Sequence, residues 1–270
     1  MIKKEFTINN SQTRTGIHPT ALVDPSAKIG EGVLIGPYTI VGNNVEIGDG
    51  TRIDSNARIC YGARIGKDCH IFHGAVISEI PQDLKFQGED SIAVIGDRTR
   101  IREFATIHRG TRDREKTEVG SDCLLMAYSH IAHDCVVGDH VILSNIVQLG
   151  GHVTVHDWAY IGGMVGVHQF THIGEHAFIG GGYRCTQDVP PYILAAGEPL
   201  KYSGLNVVGL RRHGFTNETI NLLKEVYRLI YRSEFNVSQA LDQIQSGFEP
   251  TEEIRKVISF IQLSKRGIIC

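Results

Sequence analysis

The chain has 270 residues, 41% of them hydrophobic, with 27 basic against 30 acidic side chains and a formal net charge of −3. This size and apolar fraction support a substantial core, and the charge balance offers no global attraction to nucleic acid or an anionic membrane. No apolar run has the length of a signal peptide or a membrane span, and the six cysteines contain no CxxC pair, so a cytoplasmic protein with reduced thiols, no disulfide framework and no zinc ribbon is expected.

From Ile17, every sixth residue is Ile, Leu or Val through Ile77; the series resumes in frame at Ile95, Ile101 and Ile107, and again from Val119 to Ile179. Four residues after each aliphatic stands a mostly small side chain, such as Ala57, Ala63, Cys69 and Ala75. A period of six fits neither an α-helix nor a hairpin. It suits a short strand followed by a bend, stacked rung on rung so that the aliphatic column is buried. Glycine often follows the aliphatic, as at Gly30, Gly48, Gly96 and Gly138, where a tight bend or special dihedrals are expected. The two lapses, 78–94 and 108–118, are charged and aperiodic, and read as loops leaving the coil, places where binding groups tend to sit.

Beyond Pro190-Pro191 the period changes. Residues 217–232 place Ile220, Leu223, Val226, Tyr227 and Ile230 on one helical face, with Asn217 as N-cap; 238–246 and 252–264 read as two further helices, the last capped by Thr251. The expected organisation is a parallel β-helix over residues 1–190 and a small α-helical C-terminal domain over 191–270.

Most of the thirteen histidines, among them His70, His140, His156, His172 and His176, fall at turn or outward positions where solvated surface accounts for them. The run His130-Ile131-Ala132-His133-Asp134 directs two histidines and an acid away from the core, a pattern an exposed polar turn explains equally well. If three hexads make one turn, roughly 18 residues separate neighbouring rungs, and His152 falls beside Asp134.

The repeat resembles the hexapeptide-repeat acyltransferases, which implies an all-β left-handed parallel β-helix. The runs QDLK (82–85), IREFATIHRG (101–110), LLMAYSHIAHDC (124–135), LGGHV (149–153), GGMVGVHQF (162–170), QDVPPY (187–192) and KRG (265–267) are similar to the UDP-N-acetylglucosamine acyltransferase family of lipid A biosynthesis. The resemblance implies transfer of a 3-hydroxyacyl chain from acyl carrier protein to the 3-OH, or 3-amino, group of UDP-N-acetylglucosamine. His133 is then the general base, Asp134 its support, and the Gly151 N–H the oxyanion donor. Asp83, Lys85, His108, His130, His152, His168 and Gln169 match substrate-contacting positions, and Asn206 and Arg212 match nucleotide-binding ones. Val208 and His213 depart from the family, which there has a Glu and a second Arg. Gly181 matches the position that sets acyl length, implying a long chain. No metal or cofactor is implied beyond the carrier thioester, and the family's site lies between subunits of a homotrimer. Lys201, Arg211 and Arg212 form a basic cluster suited to an acidic carrier. A zinc β-helix of the carbonic-anhydrase type and a non-catalytic solenoid are the competing readings.

Overall fold

The computed structural model describes residues 16–270; the first fifteen residues of the expected coil lie outside the described residues. Three sheets of 11, 9 and 8 strands form the body, parallel throughout except at the C-terminal end of the largest, and up to Phe178–Ile179 each strand is bonded to the one three steps away in sequence. The registers Ile17↔Ile35, Val23↔Val41 and Ile29↔Ile47 set the turn at eighteen residues, so each hexad is one side of a three-sided coil. The sixth-residue aliphatics face inward: Ile53, Ile71, Ile101, Leu125 and Leu143 are buried on one sheet, and Ile59, Ile77, Ile107 and Ile131 on the next. Each such side chain contributes about 1.5–3 kcal/mol by leaving water.

The two lapses insert whole hexads. Across the first, Ile77 pairs with Ile107 and Ile65 with Ile95; across the second, Ile107 pairs with Ile131. The spacings of 30 and 24 residues replace the usual eighteen, so the frame survives. Strands Val76–Glu79, Ile92–Ile95, Thr106–His108 and Lys116–Val119 run into both lapses. The excursions are therefore shorter than the letters suggest, 80–91 and 109–115, because ladder pairing continues where the hexad pattern fails.

Glycine after the aliphatic is explained by close approach rather than by special dihedrals. A Cβ on Gly48 would stand 2.6 Å from the backbone of Gly66, and one on Gly96 2.5 Å from Ser121. The left-handed conformation falls two residues later, at most corners, and most of these corner residues are not glycine: Tyr38, Phe104, Asp134, His152 and Trp158 have φ of 57° to 61°. Each costs roughly 1–2 kcal/mol, and most are held by the rung below, as where the His152 N–H donates to the His133 carbonyl at 3.1 Å.

The 11-stranded sheet continues past residue 190. Ile193–Ala196 pairs parallel with Phe178–Ile179 and antiparallel with Lys201–Leu205. Helices α1 (Val207–Arg212), α2 (Asn217–Arg232), α3 (Val237–Gly247) and α4 (Glu252–Leu263) follow. Helix α2 buries the five residues expected, but its cap is Thr216, whose hydroxyl accepts from the Thr219 N–H; Asn217 is the first helical residue. Thr251 caps α4 as expected. Helix α1 is too short for a periodic signal. The helices are tied to the coil by Tyr227, whose hydroxyl donates to the Pro191 carbonyl at 2.6 Å, and by the Lys256–Glu175 ion pair at 3.0 Å. No described helix is long and apolar enough to cross a membrane.

Candidate active site

The second excursion builds the site. In most rungs the corner N–H bonds to a carbonyl of the rung before it, but below Asp134 the chain has left the coil. The Asp134 N–H donates instead to Thr117 Oγ1 at 2.8 Å. The excursion then folds over the corner: the Thr111 N–H and hydroxyl donate to Asp134 Oδ1 and Oδ2 at 3.0 and 2.7 Å. Asp134 is thereby fully buried. Its remaining strong partner is His133, whose Nδ1 lies 2.7 Å from Oδ2. Burial pushes the Asp134 carboxyl up, but the hydrogen bonds from His133 and Thr111 outweigh it and hold the group below its ordinary value. The carboxylate therefore accepts a hydrogen bond from the His133 Nδ1–H, which in the neutral imidazole leaves Nε2 with its lone pair.

Gly151 faces that nitrogen. A Cβ there would stand 2.7 Å from both Nε2 and Cε1 of His133. The Gly151 N–H makes no hydrogen bond among the described residues, although the carbonyl accepts from Phe170 at 3.0 Å. His152 sits one rung on from Asp134 as expected. Its Nε2 is 3.7 Å from Asp134 Oδ2 and its Nδ1 3.5 Å from Asp113 Oδ2, and its ring stacks on Phe170 at 4.4 Å.

A cleft of ≈ 450 Å³ opens beside this group, lined by Gln82, His108, His130, His133, Gly150, Gly166, His168, Arg184 and Thr186 among others. The His108 and His130 rings meet edge to face at 4.8 Å, and His130 Nδ1 shares a 2.7 Å hydrogen bond with Thr106. Burial lowers both imidazoles, His130 to about 4, so both are neutral at neutral pH. His108 Nδ1 is buried with no hydrogen-bond partner among the described residues, which leaves it for a ligand. Arg109 joins the two excursions, its guanidinium 5.4 Å from the rings of Tyr61 and Phe86.

Within one chain the structure brings together His108, His130, His133, Asp134, Gly151, His152 and His168. Asp83, Lys85 and Gln169 do not line the cleft. Asp83 caps its own turn, accepting the Lys85 N–H at 3.0 Å, while neighbouring Gln82 reaches the wall. Gly181, Asn206 and Arg212 stand away from it. Asn206 caps α1 through the Gly209 N–H at 3.1 Å and donates to the His176 carbonyl at 3.0 Å. His213, at a position of family departure, forms a 2.9 Å hydrogen bond with His176 and packs on Trp158 at 4.5 Å. His176 is thus no solvated histidine: burial pushes it down to about 4. Thr111, Thr117 and Asp113 are site residues that sequence reasoning missed. They lie in the aperiodic loop or one rung away, with no local pattern linking them to Asp134.

His133, Asp134 and His152 offer three potential ligand atoms within 4.8 Å of one another. The 2.7 Å between His133 Nδ1 and Asp134 Oδ2 is a hydrogen-bond distance, well under the roughly 3.3 Å kept by two ligands about 2.0 Å from a tetrahedral ion. As arranged, His133 and Asp134 are a hydrogen-bonded pair, and these two atoms are too close to be neighbouring ligands of one ion.

Comparison with known proteins bears on the family and the fold. Residues 188–269 match the family profile described as UDP N-acetylglucosamine O-acyltransferase, domain 2; residues 116–145 match the bacterial transferase hexapeptide (six repeats), and 17–111 the GMPPB C-terminal domain. The chain is 47% identical to the acyl-[acyl-carrier-protein]--UDP-N-acetylglucosamine O-acyltransferase of Myxococcus xanthus, over 93% of this chain and 98% of that one. It is 54% identical to the enzyme of the same name from Chlorobaculum parvum, over 94% and 96%. The solved UDP-N-acetylglucosamine acyltransferase from Bacteroides fragilis superposes with a TM-score of 0.93 at 47% identity, covering 94% of this chain and 99% of that one. That from Acinetobacter baumannii gives 0.91 at 44%, covering 94% and 99%. A coil of opposite hand would not superpose so closely, so this one winds in the same left-handed sense. The chain belongs to the UDP-N-acetylglucosamine O-acyltransferase family.

Proposed function

We propose that the protein transfers a 3-hydroxyacyl chain from an acyl-carrier-protein thioester to the 3-OH of UDP-N-acetylglucosamine, the first step of lipid A biosynthesis, in the cytoplasm. The observation that carries the reading is the His133–Asp134 pair at 2.7 Å, with Nε2 turned to Gly151. In this scheme His133 Nε2 takes the proton of the sugar hydroxyl as its oxygen attacks the thioester carbonyl carbon. The oxyanion that forms is met by the Gly151 N–H. Collapse of the intermediate breaks the carbon–sulfur bond, and the thiolate takes the proton back from His133. Asp134 keeps the imidazole in the productive tautomer and stabilises its charged form. No metal is required by any step.

The neutral imidazoles of His108 and His130 suit a hydroxyl-rich sugar, since a neutral imidazole carries one donor and one acceptor, of which His130 Nδ1 is already engaged by Thr106; His168 lines the same cleft and His152 packs against His133, while Gln169 stands outside it. Asp83, Lys85, Asn206 and Arg212 stand apart from the cleft of one chain. A homotrimer that closes the site between subunits would give them a place around the nucleotide, the arrangement the family resemblance implies. The O-acyltransferase names of the relatives favour the 3-OH over a 3-amino acceptor. The test is transfer from hydroxyacyl carrier protein to UDP-N-acetylglucosamine by wild type and His133→Ala. Turnover at the wild-type rate in the variant would refute the general-base assignment.

A further inference from the structure

The cleft ends on a cationic group that the proton-transfer scheme does not use. On the outer face of one sheet, His130, Gln148, Gly166 and Arg184 occupy successive rungs in direct register. Gly166 presents no side chain, and a Cβ there would meet nothing within 4 Å, so the floor lies open between the histidines and Arg184, which lines the far end. Arg184 is exposed and makes no ion pair or side-chain hydrogen bond among the described residues. The C-terminal Lys265-Arg266-Gly267 run comes to the same end. Arg266 Nε donates to the carbonyl of Thr186, itself a cleft residue, at 3.2 Å, and the Gly267 carbonyl accepts from the Asp188 N–H at 3.0 Å. Neither Lys265 nor Arg266 has an acidic partner among the described residues. Asp188, the carboxylate bonded into this turn, is buried and turned to the His172 N–H and the Ser264 hydroxyl, at 2.8 and 2.6 Å.

We propose that this end of the cleft is a phosphate-ester subsite, with Arg184 as the contacting residue and Lys265 and Arg266 adding positive potential behind it. A guanidinium without a carboxylate partner at the end of an open groove suits a phosphate oxygen and is a poor terminus for hydrocarbon. Resting on the function proposed above, the subsite has two possible sources of phosphate, the diphosphate of the sugar nucleotide and the phosphodiester of the carrier's pantetheine arm. The span favours the second. Arg184 lies two rungs beyond the level of Gly151, about 10 Å at roughly 4.8 Å per rung, before the side chain's own reach is added. A pantetheine arm attached at the thioester can cover that distance, whereas a sugar 3-OH stands closer to its own diphosphate.

The test is calorimetric binding of 4′-phosphopantetheine, pantetheine and UDP-N-acetylglucosamine to wild type, Arg184→Gln and Arg184→Lys, which reads the subsite without depending on turnover. The expected result is that the 4′-phosphate raises wild-type affinity about tenfold, that Arg184→Gln removes this gain and Arg184→Lys restores part of it, and that UDP-N-acetylglucosamine binding is unchanged. A loss of UDP-N-acetylglucosamine affinity instead would keep the subsite and assign it to the nucleotide. If neither phosphate ligand distinguishes wild type from Arg184→Gln, or if the variant changes only the preferred acyl length, the proposal is overturned. Failure of the wild type to transfer acyl groups would count against the proposed reaction, while the binding comparison would still decide the subsite.

Discussion

Gly151 and His133 are matched so that the imidazole Nε2 has space on its open side only because residue 151 lacks a Cβ, which would stand 2.7 Å from that nitrogen. The backbone of Gly151 has no positive φ, so alanine suits its conformation, and the three atoms nearest an added Cβ all belong to the His133 ring. Gly151→Ala should therefore leave the fold intact while displacing the base. The expected outcome is a kcat lowered about 10²-fold or more with a thermal midpoint close to wild type. An active Gly151→Ala protein would show that Nε2 is not the working nitrogen.

Thr111 is a positioning residue for Asp134. Its hydroxyl supplies one of two hydrogen bonds from the excursion to the buried carboxylate, and its backbone N–H the other. Thr111→Val removes the hydroxyl and keeps the shape. A hydrogen bond to a charged group is worth about 1.5–3 kcal/mol, so kcat should fall roughly tenfold with little change in KM. Because the valine variant loses an acceptor-stabilising donor, its pH–rate profile should also shift. An unchanged profile with raised KM would assign Thr111 to substrate binding instead.

These two residues mark what can be read from the chain alone. Gly151 stands in a local run, and its neighbour His152 follows from the coil period once a rung is taken as three hexads. Ile131 and Cys135 fix which side chains face the core, and so leave His133 and Asp134 outside it. Thr111 and Thr117 are bound to Asp134 across 23 and 17 residues, distances set by a loop whose path has no period. The same limit applies to Asn206, whose side chain caps α1 and reaches the His176 carbonyl, and to the glycines that follow the aliphatic. Their spacing is visible, but the rung that forbids a Cβ is eighteen or more residues away.

Acid should destabilise the fold through two histidines. Burial holds His130 and His176 at about 4, against an ordinary value of 6.5. Between those values the unfolded chain binds the protons and the native state does not, so stability rises with pH through that window and is lost as pH falls from 6.5 towards 4. Each contributes at most about 3 kcal/mol over the full range. Thermal midpoints measured from pH 7 to 5 should fall for wild type and fall less for His176→Phe, which keeps an aromatic ring beside Trp158. An identical pH slope in the variant would mean that His176 charges freely in the folded protein.

We propose that Gly181 bears on acyl length through its missing side chain, as the family resemblance implies. The missing side chain leads us to expect a long acyl chain over a ten-carbon one. Within one chain the residue stands outside the cleft, so its influence requires the groove to extend beyond that wall, as it would against a neighbouring subunit. A Cβ at Gly181 would come 3.0 Å from the Gly163 carbonyl oxygen, tight enough to require a small backbone adjustment, and a longer side chain would project into the space outside the coil. Gly181→Met should therefore lower kcat/KM for long carriers by about tenfold or more while sparing short ones, since each methylene excluded from a groove removes roughly 0.8 kcal/mol. Competition between ten- and fourteen-carbon hydroxyacyl carriers measures this directly. A wild-type preference for the ten-carbon chain would overturn the assignment of length to Gly181 and place the limit elsewhere along the groove.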